Sequence, residues 1–357
     1  VTSPKNARAF HRSLLQWFRR HGRDLPWRCT RDPYAILVSE LMLQQTQVST
    51  VIAYYNAWLG RFPDFVALAR ASENDVLHAW QGLGYYGRAR NLQATARTVM
   101  DRYRGRFPRS VEQMRQLQGI GKYTAHAVAS FAFDQPVPIV EANTARVLTR
   151  LFDFRESIDS DQGRQTLWQY AAMLVPKSNA SIYNSALIDL GALVCVARQP
   201  KCGICPVEKF CRAKNPQILP VRKSRPRTKR LIEEHAFVVR RGKILLEQSS
   251  TRWRGMWILP PFKLDCFKRS SFHRRTIYTS VFPFTNHRVA LKVYCQRRQR
   301  IHPSKDEFDI ANKSAQRWIR IDTLDSIPMP SPHRRAVRHL LSEITEAGSR
   351  RQPWSLL

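Results

Sequence analysis

Four of the seven cysteines, Cys195, Cys202, Cys205 and Cys211, fall within seventeen residues in the pattern C-x6-C-x2-C-x5-C. Clustered thiols in a chain of cytosolic character mean metal more often than disulfide. Four thiolates on one short loop can converge on a single centre, and zinc and an iron–sulfur cluster both suit that spacing. Cys29, Cys266 and Cys295 stand apart and read as ordinary small side chains. A second feature is the stretch Leu117-Gln118-Gly119-Ile120-Gly121-Lys122-Tyr123-Thr124-Ala125. Gly119 and Gly121 permit a tight turn and let a backbone approach closely. The turn presents N–H groups at the start of a helix from Lys122, where anions such as phosphate are favoured. Leu117 and Ile120 form a pair that pins the flanking helices together. A third feature is Glu40, set among Ile36, Leu37, Val38, Leu41 and Leu43. Apolar surroundings raise a carboxyl pKa and suit the group to general-acid work.

These groups sit in a chain of 357 residues, a length that predicts two domains, or three if one is small. Lys and Arg number 59 against 27 Asp and Glu, a formal charge of +32, while 43% of residues are hydrophobic. That hydrophobic share excludes wholesale disorder, and the charge predicts a polyanionic partner, nucleic acid first. The longest apolar run, around 186–197, is broken by Asp189 and is too short to span a membrane. Residues 1–20 hold several Arg but no apolar signal region. The first residue is Val1, so the sequence is read as starting inside a longer chain.

Up to about Arg212 the apolar spacing is helical, through 36–43, 48–58, 75–80, 89–103, 123–133, 145–152 and 166–174. Residues 213–231 hold Pro216, Pro220 and Pro226 among many Lys and Arg, and predict an extended, self-repelling linker. Strand character follows at 235–240, 243–248, 289–296 and 317–321, with a hairpin turn at Arg241-Gly242. Residues 331–344 predict a helix with Pro332 in its first turn. Trp253 and Trp257 read as core.

The motifs together resemble the helix–hairpin–helix DNA glycosylases, and within them the A/G-specific adenine glycosylases (MutY type). The resemblance runs from about Leu25 to Arg212. It rests on Leu25-Pro26-Trp27-Arg28, Asp32-Pro33-Tyr34, Ser39-Glu40 through Gln47-Val48, Gly82-Leu83-Gly84-Tyr85-Tyr86, the Gly119–Ala125 hairpin, Asp189-Leu190-Gly191-Ala192 and the four cysteines. It implies an all-α glycosylase region over 1–212, with the hairpin at about 113–133 and a loop at 195–211 ligating a [4Fe–4S] cluster. The linker then leads to an α+β module over 232–347, which resembles a Nudix-like lesion-recognition domain, and to a frayed tail over 348–357. The module lacks the R-E-x-x-E-E core of a Nudix box, so pyrophosphate hydrolysis is not expected.

The resemblance also implies roles. Glu40 occupies the position of the catalytic Glu that protonates the departing purine. The family's Asp, in a P-x-x-D-G-N setting, stabilises the sugar cation; here the stretch is Pro138-Ile139-Val140-Glu141-Ala142-Asn143. Glu141 is expected to keep that role and Asn143 to orient the site. Tyr123 replaces the Lys whose amine attacks the sugar in endonuclease III-type enzymes, which implies a monofunctional glycosylase. Lys122 is assigned to phosphate or solvent. Gln45 and Tyr85 match positions that enter the duplex, and Trp27 and Arg28 positions that line the adenine pocket. Ser185 stands where relatives often carry Glu or Gln. Phe284-Thr285-Asn286-His287 resembles the lesion-sensing F-S-H loop with one extra polar residue, leaving the sensing residue open among Thr285, Asn286 and His287. The implied partner is duplex DNA with adenine opposite 8-oxoguanine or guanine, bound by a monomer. The implied compartment is the nucleoid in a bacterium, or the nucleus or mitochondrion in a eukaryote. Two rivals stay open: a glycosylase for another mismatch, such as thymine in G·T, and a catalytically silent, cluster-bearing DNA-binding protein.

Overall fold

The computed structural model describes residues 6–224, 227–262, 276–295 and 315–349. Cys266 and residues 350–357 of the expected tail lie outside them. In chain order the helices are α1 (Ala7–His21), α2 (Pro33–Leu43), α3 (Val48–Arg61), α4 (Phe65–Arg70), α5 (Glu73–Ala79), α6 (Gly87–Tyr103), α7 (Val111–Met114), α8 (Lys122–Phe133), α9 (Ala142–Phe152), α10 (Asp161–Leu174), α11 (Ala180–Leu193) and α12 (Ser331–Ser349). The strands are β1 (Lys229–Phe237), β2 (Val239–Arg240), β3 (Lys243–Gln248), β4 (Trp257–Ile258), β5 (Thr276–Phe284), β6 (His287–Cys295) and β7 (Gln316–Arg320). Contacts divide the chain into two compact units, Val1–Arg70 with Asn91–Ser224, and Ala71–Arg90 with Arg225–Leu357. This grouping differs from the expected region over 1–212 in placing residues 71–90 with the second unit. Residues 71–90 belong to the second unit because α5 and its following loop bond to the chain beyond 320: His78 to the Asp325 carbonyl, and Gln81 to the Met329 amide.

In the first unit α2 is buried on every face, which marks a helix central to its bundle. Asp32 caps it by accepting from the Tyr34 and Ala35 amides, and Pro33 occupies the first turn without losing a bond. α3 and α8 pack against it. α1, which the sequence reading did not find, buries Phe10 and Leu14 in a second core with α9, α10 and α11. α7 and α8 are joined by the glycine turn, with Leu117 and Ile120 buried as expected. Gly119 is obligatory there, because its φ is +78° and a Cβ would lie 2.5 Å from Asn91.

The predicted linker is also corrected. The Arg212 and Ala213 amides donate to the carbonyls of Leu151 and Arg150, the Ile158 amide donates to the Val221 carbonyl, and Leu219 is buried. The basic side chains hide a stretch whose backbone and one leucine pack, and β1 already begins at Lys229.

The second unit holds two sheets. β1 pairs in parallel with β6, which pairs antiparallel with β5. In the other sheet β3 is central, with β7 on one edge and β2 and β4 along the other. Arg241 and Gly242 both take positive φ at the β2–β3 turn, as such two-residue hairpins demand. α12 packs on β5, and Trp253 and Trp257 are buried as expected. The unit is α+β.

Candidate active site

Glu40 is 5% exposed because its helix has no solvent face. Tyr123, the second residue of α8, donates its hydroxyl to Glu40 Oε2 at 2.7 Å. Burial pushes Glu40 up to about 7, against the opposing pull of that bond, and the charges of Glu141 and Arg28 act in opposite senses. Burial and the same carboxylates hold the Tyr123 hydroxyl well above the ordinary tyrosine range, so it stays a neutral donor. With Oε2 engaged by Tyr123, Oε1 is the atom at which Glu40 can carry a transferable proton. A carboxyl poised near neutrality in a buried site is what proton donation to a departing group requires.

Glu141 comes from a distant stretch of sequence. It caps α9, with Oε1 accepting from the Thr144 amide at 2.8 Å. Oε2 accepts from the Asn143 amide at 2.8 Å and from Asn143 Nδ2 at 3.2 Å. Thr144 returns the bond by accepting from the Glu141 amide. Burial keeps Glu141 above the usual carboxylate range despite these bonds. Asn143 in turn accepts from Arg146, which also donates to the Gly191 and Cys195 carbonyls at 2.6 and 2.7 Å. Thus Glu40, Tyr123, Glu141 and Asn143 come together.

Trp27 is buried edge-on to Tyr55. Arg28 makes a two-pronged bond to Asp189, at 2.8 Å on each prong. Asp189, fully buried, also takes Arg23. This is a role the sequence reading missed, although a lone acid inside the longest apolar run was its signal. Arg146 and Arg150 were missed too, since Arg on a helix ordinarily faces water. Ser185 is buried on α11. Gln45 and Tyr85 are exposed and both hold left-handed backbone, with φ of +58° and +47°. Non-glycine residues kept in that region are concentrated at functional sites. Gly121 caps α8 with an ordinary φ and open space where a Cβ would go. The Lys122 ammonium lies 4.0 Å from the centre of the Trp168 ring. Thr285 and Asn286 form the exposed two-residue tip between β5 and β6, and His287 opens β6.

Cys195, Cys202, Cys205 and Cys211 gather in one loop, all free of disulfides. Burial and the charges of the other three push the Cys205 thiol up to about 11, and Cys211 is raised for like reasons. Four thiolates on one loop need a cationic centre. Among the described residues, the one set of three or more ligand atoms lying within 4.8 Å of one another is Glu233, His235 and His333. Four cysteine sulfurs on one loop are a donor set that a [4Fe–4S] cluster takes. The Glu233 trio offers no equivalent: His333 Nδ1 accepts from the Leu259 amide, which places the proton on its Nε2. Arg150, fully buried, donates to Cys195 Sγ and to the carbonyls of Val196, Ala197 and Leu219. When bound, the cluster supplies a rigid cross-link through these four residues.

Residues 38–173 correspond to the HhH-GPD superfamily base excision DNA repair protein, and residues 195–211 to the iron–sulfur binding domain of endonuclease III. The chain belongs to the HhH-GPD superfamily of base excision DNA repair proteins and carries its [4Fe–4S]-type loop. The human adenine DNA glycosylase is 45% identical over 215 residues, covering 58% of this chain and 39% of that protein. The Mycolicibacterium smegmatis adenine DNA glycosylase is 44% identical over 200 residues, 56% of this chain and 67% of that protein. A solved thermostable thymine-DNA glycosylase superposes with a TM-score of 0.54 at 32% identity, over 58% of this chain and 96% of its own. The chain spans about two-fifths of the length of the mammalian relatives it matches.

Proposed function

We propose that the chain is a monofunctional DNA glycosylase that hydrolyses the N-glycosidic bond of adenine mispaired with 8-oxoguanine or guanine in duplex DNA. The observation that carries this is the buried Glu40–Tyr123 pair beside Glu141, in a chain with 44–45% identity to two adenine DNA glycosylases. The adenine first leaves the stack, at a cost of a few kcal/mol. Glu40 Oε1 gives its proton to the purine, which departs as a neutral base. Glu141, fixed by the amides at the start of α9, faces the electron-poor sugar. Water then adds to the sugar, its released proton restoring the Glu40 carboxyl, and leaves an abasic site. Tyr123 offers no amine for a Schiff base, so the backbone stays intact.

Support for DNA as partner comes from the +32 charge and from the amides of α8 beside the open face of Gly121. Gln45 and Tyr85 are assigned to the duplex near the lesion, and Trp27 and Arg28 to the adenine pocket. The second unit is read as a Nudix-like module, with Thr285, Asn286 and His287 sensing the lesion, in a monomeric protein. The test uses duplexes carrying A opposite 8-oxoguanine, A opposite G, or T opposite G, scored with and without alkali. Adenine release with breaks appearing only after alkali is the expected result. Excision of T alone would favour the thymine enzyme, to which the 32% identical solved structure gives weight. Tight binding without excision would make the chain a silent binding protein. Borohydride should trap no protein–DNA adduct.

A further inference from the structure

The second unit contains a pocket of about 560 Å³ whose lining includes Arg88, Arg252 and Arg335 and no Asp or Glu. Its walls are aromatic, from Tyr85 and Tyr86 on one stretch and Trp253, Phe282 and Phe284 on others. Ser331 and Pro332, which open the nineteen-residue helix α12, also line it, so the positive end of the helix dipole adds to the potential. Arg252 is held in place from two sides. Its guanidinium lies 4.5 Å from the centre of the Phe284 ring and 5.5 Å from that of Trp253. Glu233 reaches its Nη1 at 2.5 Å, yet that nitrogen is buried without a well-formed hydrogen bond. Along α12, Arg334 and Arg338 both pair with Asp325. Arg335 is exposed, lines the pocket, and has no acidic partner among the described residues.

A cavity with an exposed Arg335, a partly exposed Arg252 shared with Glu233, no acid in its lining and flat apolar walls is chemically complementary to a sugar–phosphate backbone. Arginine forks bind phosphate oxygens, and aromatic faces cover sugars and bases. We propose that this pocket seats the phosphodiester backbone of the strand opposite the adenine, with Arg252 and Arg335 each gripping a phosphate. The choice of strand rests on the function proposed above, which puts Tyr85 and the 284–287 tip on the lesion side; both Tyr85 and Phe284 border the pocket. Arg252, packed on Phe284, would then couple the grip on the backbone to the tip that inspects the base.

The experiment measures equilibrium binding of the full chain to a duplex with A opposite 8-oxoguanine, across a salt series, for wild type, Arg335→Gln and Arg252→Gln. Each variant should bind about tenfold more weakly at low salt and flatten the log–log salt slope by about one. A scan of single methylphosphonates along both strands locates the contact. Neutralising the one phosphate of the 8-oxoguanine strand that Arg335 grips should weaken wild type to the level of Arg335→Gln and weaken that variant no further. Arg335 is exposed, so its variant reads the contact without disturbing the core. Unchanged slopes in both variants, or interference confined to the adenine strand, would overturn the proposal. Adenine release by wild type from the same unmodified duplex is scored in parallel; its absence would count against the glycosylase reading, while the slopes still report the phosphate grip.

Discussion

At the residue scale the argument turns on where protons sit. Glu40 is held near pH 7 by burial, whereas an unfolded chain would leave it at the ordinary glutamate value. Between about pH 4.5 and 7 the folded chain therefore keeps a proton that the unfolded chain has released. Its contribution to stability is lost as pH rises through that window, and the buried carboxylate is most costly above it. Glu40→Gln should raise stability at pH 8 by about 1–3 kcal/mol and leave it little changed at pH 4.5, as denaturant melts at the two values would show. The same substitution should abolish excision, and wild-type single-turnover rates should fall as pH climbs past about 7. Glu141 tests a different point. It carries a longer side chain than the family's Asp, yet its carboxylate is fixed by the amides of Asn143 and Thr144. Glu141→Gln should reduce single-turnover excision by 10²-fold or more. A displacement of about 1 Å can cost as much, so Glu141→Asp should also slow the reaction while it keeps the cap. An unchanged rate for the glutamine variant would remove Glu141 from the reaction.

At the scale of elements, the site depends on two helices that cross unusually closely. Gly191 on α11 faces Asn143 at the start of α9, and a Cβ there would lie 2.7–2.9 Å from Asn143 side-chain and backbone atoms. Backbone cannot swing aside as a flexible side chain can. Gly191→Ala should therefore push α9 and α11 apart, cost about 1–3 kcal/mol by overpacking, and displace Glu141. Melting temperature and excision rate should fall together; a loss of stability with full activity would show that the cap moves independently of the crossing. This crossing also shows what a sequence can carry. The helical period of α2, α3 and α8, the obligatory Gly119 and the turn at Arg241-Gly242 were legible because local rules dictate them. The partners of Asp189, Arg146 and Arg150 were not, because each is set by chain tens of residues away. β5 escaped notice for a similar reason: its burial alternates imperfectly and Pro283 interrupts it, so its identity rests on the ladder with β6. Residues 213–223 misled through composition, since their charges describe the side chains and their packing resides in the backbone.

At the scale of the whole chain, the four-cysteine loop has little regular structure to hold it. It contains only short 3₁₀ turns, at Cys202–Ile204 and Glu208–Phe210, before the chain runs on to Leu219. Its attachments are the thiolates, the fan of bonds from Arg150, the bond from Arg146 to the Cys195 carbonyl and the amides of Arg212 and Ala213 on the end of α9. Val207 sits in the core and Cys205 and Phe210 pack on it, but Cys202 and Cys211 are exposed, so a cluster bonded to all four cysteines would carry much of the ordering. Without it the thiols protonate, because burial already disfavours the thiolates of Cys205 and Cys211. Removing the cluster with a chelator under oxidation, or preventing its assembly with Cys202→Ser, should therefore release residues 195–223 first. Amide hydrogen exchange there should quicken by at least tenfold, while α2 and α8, whose core owes nothing to the loop, keep their protection. Because Arg146 joins the Cys195 carbonyl to Asn143, and Asn143 contacts Glu141, the start of α9 should loosen next. Adenine excision should then decline before the helical signal in circular dichroism does. Uniform exchange across both units, with activity and helicity lost in step, would mean instead that the loop is part of the common folding core.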